Sequence, residues 1–128
     1  MKHLFTVLAV LPVCLTAGSA QDPAVVDSDH YQVVFENDQV RVLRITYGAG
    51  EESVMHDHPA GVAVALTPSS WTMTLPSGET VQLTMAAGEA AWAPAGPHLP
   101  RNDGEAAELI LVEMKGDMEM EDMEREDG

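Results

Sequence analysis

The stretch SWTMTLPSGETVQLTM, Ser70 to Met85, leaves a chain little choice of local structure. Trp71, Met73 and Leu75 alternate with Thr72 and Thr74, and Val81, Leu83 and Met85 alternate with Thr80, Gln82 and Thr84. Pro76, Ser77 and Gly78 stand between the two runs. A period of two on both sides of a turn is the pattern of a β-hairpin with one buried face. YQVVFE and VRVLRITY, separated by the turn residues Asn37 and Asp38, predict a second strand pair with mixed faces. GVAVALT, EAAWAP and AELILVEM are short apolar runs that suit buried strands. No window holds a helical period for three turns, the acidic end of the chain aside. About eight short strands punctuated by Gly and Pro predict an all-β single domain over residues 30–115, a closed barrel or jelly roll.

The two ends read differently. Met1 to Ala20 has a basic start (Lys2, His3), an apolar stretch from Leu4 to Leu15 and the small residues Gly18, Ser19 and Ala20, as in a cleavable signal peptide. Pro12 and the shortness of the stretch argue against a membrane span. The expectation is a periplasmic or secreted protein with no membrane attachment after cleavage. Cleavage would also remove Cys14, the one cysteine, and with it any disulfide or thiol chemistry. Gln21 to Asp29 reads as a flexible lead-in. Gly116 to Gly128, rich in acids, reads as a disordered tail whose Met118, Met120 and Met123 are solvated rather than copper ligands. A formal net charge of −15, made more negative by loss of Lys2, excludes nucleic acid and anionic lipid as partners.

The chemistry-bearing residues are histidines. In an extended segment, side chains two apart share a face, so His56 and His58 can converge on one ion while Asp57 faces away. The glycine and proline pattern around them resembles the two motifs of the cupin family. Gly50 precedes His56 and His58 by the spacing of the first motif, and Gly88, Pro94, Gly96, His98 and Asn102 follow the order of the second. The resemblance covers most of Tyr31 to Met114. It implies a cupin-type jelly-roll β-barrel with one divalent transition metal inside, held by His56, His58 and His98. The metal's identity stays open among Zn, Cu, Fe, Ni and Mn. Two departures stand out. Val62 and Ala63 occupy the positions where the family places an acidic ligand, and only Pro97 separates Gly96 from His98. The four-residue step from His98 to Asn102 is kept, which predicts that the shortening is confined to the turn and the strand register survives.

Three neutral imidazoles leave a divalent ion its full charge and open positions. The expected activity is that of a metal-dependent oxidoreductase, dioxygenases included, or an isomerase, acting on or binding a small polar molecule. The rival reading is a metal-free module that binds a small ligand or serves structurally, without catalysis, and pairs as a homodimer. No catalytic residue can be named from the sequence. Arg101 is the candidate anchor for a substrate anion, with Asn102 and Trp92 as further substrate contacts. Trp71, Met73 and Met85 read as core that doubles as pocket wall. His30 reads as an edge residue, and Arg41 and Arg44 as partners for structural acids.

Overall fold

A computed structural model describes residues 21–116, so the expected signal peptide and all of the acidic tail beyond Gly116 lie outside the described residues. Within them a one-turn helix, α1 (Pro23–Val26), precedes nine strands: β1 (Tyr31–Glu36), β2 (Val40–Tyr47), β3 (His56–His58), β4 (Gly61–Ala65), β5 (Ser69–Thr74), β6 (Thr80–Met85), β7 (Ala90–Ala93), β8 (Gly96–Asn102) and β9 (Ala107–Met114). They form a five-stranded sheet, β1-β2-β9-β4-β7, and a four-stranded sheet, β3-β8-β5-β6. All pairings are antiparallel. Two sheets that share one apolar core make a jelly roll.

Both hairpins form where the alternation predicts them. Trp71 pairs with Leu83 and Met73 with Val81 across β5 and β6, and the Leu75 and Gly78 amides donate within the turn. Between β1 and β2 the Asn37 side chain accepts from the Gln39 and Val40 amides, both at 2.8 Å. An asparagine closing a turn on the following backbone is a reason for its preference there. A bulge between Val33 and Phe35 kinks β1. AELILVEM, predicted as an apolar run, becomes the strictly alternating strand β9, with Ala107, Leu109, Leu111 and Glu113 turned inward.

The core gathers Tyr31, Leu43, Ile45, Tyr47, Trp71, Met85, Leu109 and Leu111 from both sheets. Full burial of each large side chain contributes about 1.5–3 kcal/mol before entropy is counted. The apolar face of the β5–β6 hairpin is only partly packed. Val81 is 51% exposed because the face opens into a cavity rather than onto the opposite sheet.

The lead-in differs from its expectation. Asp22 caps α1 by accepting from the Ala24 amide, and Pro23 occupies the first turn and is buried. Proline there gives up only an amide that the helix would leave unpaired. Asp22 also accepts two N–H bonds from Arg41 at 2.7 and 2.8 Å, and the Gln21 carbonyl accepts from the Asp57 amide. The segment is not loose because it carries the partners for a cationic side chain and for the outer edge of β3.

Gly61 is where the fold tolerates no side chain. A Cβ built there would lie 2.1 Å from the Val112 carbonyl oxygen of β9, a backbone atom that cannot swing away. Gly61→Ala is expected to lower stability by roughly 2–4 kcal/mol in urea unfolding. A loss below about 0.5 kcal/mol would contradict that packing.

Candidate functional site

The histidines meet where β3 lies against β8. His56 is the cross-strand partner of His98, and His58 is the partner of Gly96. Burial alternates along both strands, with His56 and His58 buried on either side of the exposed Asp57, and Pro100 and Asn102 buried with Arg101 exposed between them. The shortened turn leaves the strand in register, and His98 lies on the inner face with them. The His56 and His98 Nε2 atoms are 3.1 Å apart. The His98 ring centroid is 4.8 Å from each of the other two, whose own separation is 6.2 Å.

The outer nitrogens are occupied. His56 Nδ1 lies 3.0 Å from the Val54 carbonyl and 3.2 Å from Ser53 Oγ, and His58 Nδ1 lies 2.8 Å from the Pro59 carbonyl. A carbonyl can only accept, so both rings carry their hydrogen on Nδ1 and present a bare Nε2 inward. His98 Nδ1 has no partner among the described residues, and its Nε2–H donates to His56 Nε2. To act as a ligand, His98 has only to move that hydrogen to Nδ1. Among the described residues no group of three or more His, Cys, Asp and Glu side chains is placed so that it could hold a metal ion as it stands. The 3.1 Å separation is also close to that of two imidazole nitrogens each about 2.0–2.1 Å from one ion, while the His58 ring stands farther from His56 than from His98.

Several contributors carry no motif. Ser53 donates to the Asp27 carboxylate, so its oxygen is free to accept from His56 Nδ1, linking a carboxylate to His56 through one hydroxyl. Asp27 also accepts from His30 Nδ1 at 2.8–2.9 Å, and His30 Nε2 reaches Glu51 at 3.3 Å. His30 stacks on Tyr47 with ring centroids 4.1 Å apart, so it is a packed part of the frame rather than an edge residue. Tyr47 and Tyr31 share a hydroxyl–hydroxyl bond of 2.7 Å, and Tyr31 sets its ring edge-on to His56 at 4.9 Å. Alternation marks Tyr31 and Tyr47 as inward, but nothing in the spacing of Asp27, Ser53 and His56 announces a chain of hydrogen bonds.

Beside the histidines a cavity of about 440 Å³ runs between the sheets, lined by His58 and His98 together with Trp71, Met73, Leu83 and Leu111. Of the expected substrate contacts, Trp92 alone lines this cavity, at its mouth and 63% exposed. Arg101 lies outside it, exposed at the surface and paired with Asp103 at 2.7 Å. Asn102 is fully buried and spends its side chain on the backbone: it donates to the Gly48 and Glu105 carbonyls and accepts from the Gly104 amide. Asn102 thereby closes the loop after β8. Ala63, at one of the two positions where the cupin motif would carry an acidic ligand, puts a methyl group on the cavity wall. The buried carboxylate of Glu113 belongs to Arg41, at 2.6 Å, in a separate polar recess that His58 also borders.

Solved structures resemble this fold. A cupin domain from Bordetella pertussis Tohama I superposes with a TM-score of 0.62 at 24% identity, over 67% of this chain and 92% of that one. A cupin superfamily protein from Desulfitobacterium hafniense DCB-2 gives 0.53 at 11% identity, over 67% and 76% of the two chains. An RmlC-like cupin with a double-stranded β-helix fold from Methanocaldococcus jannaschii gives 0.53 at 15%, over 66% and 77%. The chain has the cupin fold. No family model and no curated protein matches its sequence.

Burial governs the charge of two of these histidines. Desolvation, and then the neighbouring His58, hold His56 down at about 4, and burial with both neighbouring imidazoles holds His98 at about 3. Both are neutral at pH 7, the form a metal needs. His30 moves the other way: burial opposes its charge, but the Asp27 and Glu51 carboxylates outweigh that and raise it.

These shifts fix a pH dependence. Below about 6.5 the unfolded chain takes up protons that His56 and His98 refuse when folded, so their contribution is lost as pH falls from 6.5 toward 4. The raised His30 has the opposite sign, being stabilising at low pH and losing that effect as pH rises. Urea unfolding of metal-free protein is expected to show stability at pH 5 lower than at pH 7.5 by about 1–2 kcal/mol for each of the two imidazoles, partly offset by His30. A flat profile over that range would show that they are not buried as neutral rings.

Proposed function

We propose that this cupin binds one divalent transition metal through His56, His58 and His98 and acts on a small molecule held in the adjoining cavity. The observation that carries the reading is the orientation of the imidazoles. Two Nδ1 atoms are tied to carbonyls, so the Nε2 lone pairs face inward, and two Nε2 atoms already stand 3.1 Å apart. Neutral nitrogen donors suit Zn, Cu, Fe or Ni in preference to Ca or Mg.

A metal held by three neutral ligands would polarise a bound oxygen atom or lower the pKa of bound water. The chain's own residues do the rest. Val54, Pro59 and Ser53 fix the ring planes, Tyr31 and Trp71 wall the site, and the apolar lining excludes bulk water. An oxidoreductase of the dioxygenase kind, or an isomerase, fits this arrangement. Export as a periplasmic or secreted protein fits the thiol-free, acidic chain that would remain after cleavage at Ala20. The rival, a metal-free binding barrel, rests on the methyl group of Ala63 where a carboxylate would strengthen the site.

Metal content decides between them. Untagged protein incubated with Zn, Cu, Fe, Ni or Mn and then desalted is expected to retain about one equivalent of one of these, measured by mass spectrometry. His58→Ala should retain less than about a tenth of that. Ser53→Ala, which cuts the link from Asp27 to His56, should weaken retention about 10–100-fold while leaving the fold intact. Failure of the unaltered protein to retain any of the five metals would overturn the reading.

A further inference from the structure

We infer that the cavity receives a neutral, mainly apolar molecule whose one polar end faces His58 and His98. The inference concerns the cavity of the proposed function but does not depend on a metal being bound. The sequence led to an expectation of a small polar molecule with Arg101 as its anchor. The structure places Arg101 outside the cavity, and among the described residues no Asp, Glu, Lys or Arg lines it. The body of the wall is Trp71, Met73, Leu83, Met85, Leu109 and Leu111.

The few polar groups are unevenly placed and largely committed. Tyr31 and Tyr47 bond to each other, and burial raises both phenols, Tyr47 to about 12, so neither supplies charge at neutral pH. Gln82 and Trp92 lie on the exposed side of the opening. What remains at depth is the pair of imidazole edges and the Trp71 indole N–H, which is buried without a hydrogen-bond partner among the described residues. A carboxylate or ammonium group carried into such a space gives up its hydration with no lysine, arginine, aspartate or glutamate among the described lining residues to meet it. An apolar ring system with a single hydroxyl gives up little, and gains contact with aromatic and thioether side chains. A space of about 440 Å³ holds roughly a dozen to fifteen non-hydrogen atoms.

Two probes with the same apolar body test this: 2-naphthol, neutral at pH 7, and 2-naphthoate, ionised. Both tryptophans of the chain line the cavity, so the indole N–H signals of ¹⁵N-labelled protein report binding directly. Metal-free protein is expected to bind 2-naphthol with Kd on the order of 0.1 mM, shifting both indole signals, and to bind 2-naphthoate at least tenfold more weakly by calorimetry. Ala63→Leu, which fills the wall, should cut 2-naphthol affinity at least tenfold. Val81→Lys, at the exposed mouth, keeps the test open if that variant does not fold, and should narrow the gap between the probes. Absence of 2-naphthol binding, equal affinity for 2-naphthoate, or undiminished binding in a folded Ala63→Leu would overturn the inference. Metal retention measured on the same preparations separates this outcome from failure of the metal reading, since the probes are applied without metal.

Discussion

The ladder between β3 and β8 is the interaction on which the site depends. β3 is three residues long, too short to hold itself, and is fixed from two sides. His56 and His58 pair with His98 and Gly96 on one edge, while the Asp57 amide donates to the Gln21 carbonyl on the other. Backbone bonds from Ser53 to Pro100 and from Asn102 to Glu51 lock the approach to β3 against β8. Pairing two short strands so that two histidines face each other gives a metal-sized separation without any long-range adjustment. A one-residue slip would send His98 to the outer face and dissolve the site.

Electrostatics then divides the interior. His56 and His98 are buried beside an apolar cavity and stay neutral, while the basic groups are paired away from it: Arg41 between Asp22 and Glu113, Arg44 with Glu108, Arg101 with Asp103, Lys115 with Glu36. In so acidic a chain, every cation among these has a carboxylate beside it. The exposed pairs contribute little to stability. Their consequence is that no basic side chain among the described residues is left over to enter the cavity. Asp27 is the exception that reaches inward, and it does so through Ser53, so that His56 is oriented by a carboxylate it does not touch.

Much of this was legible beforehand because strand alternation is a local property. The β5–β6 and β1–β2 hairpins, the inward set Trp71, Met73 and Met85, and the cupin spacing of Gly50, His56, His58, Gly88, Gly96 and His98 can all be read along the chain. Arg101 misled because a basic residue next to a motif looks like an anchor. Its position between Pro100 and Asn102 on a strand puts it on the outer face, and Asp103 takes its charge. The lead-in misled because its composition is polar. Each of Asp22, Asp27 and His30 has a partner far along the chain or across the fold, and composition does not show partners.

The sequence by itself determined the strand periodicity, the two-residue step that puts His56 and His58 on one face, the lack of an acid at Val62 and Ala63, and the acidic balance of the chain. These follow from residue identity and near-neighbour geometry. Only the tertiary structure decided that His98 faces His56 at 3.1 Å, that Asp27 reaches His56 through Ser53, that Asn102 is a structural clasp and that the cavity wall carries no charge. Those depend on which strands pair and in what register, and register is set by burial of the whole apolar set rather than by any one segment.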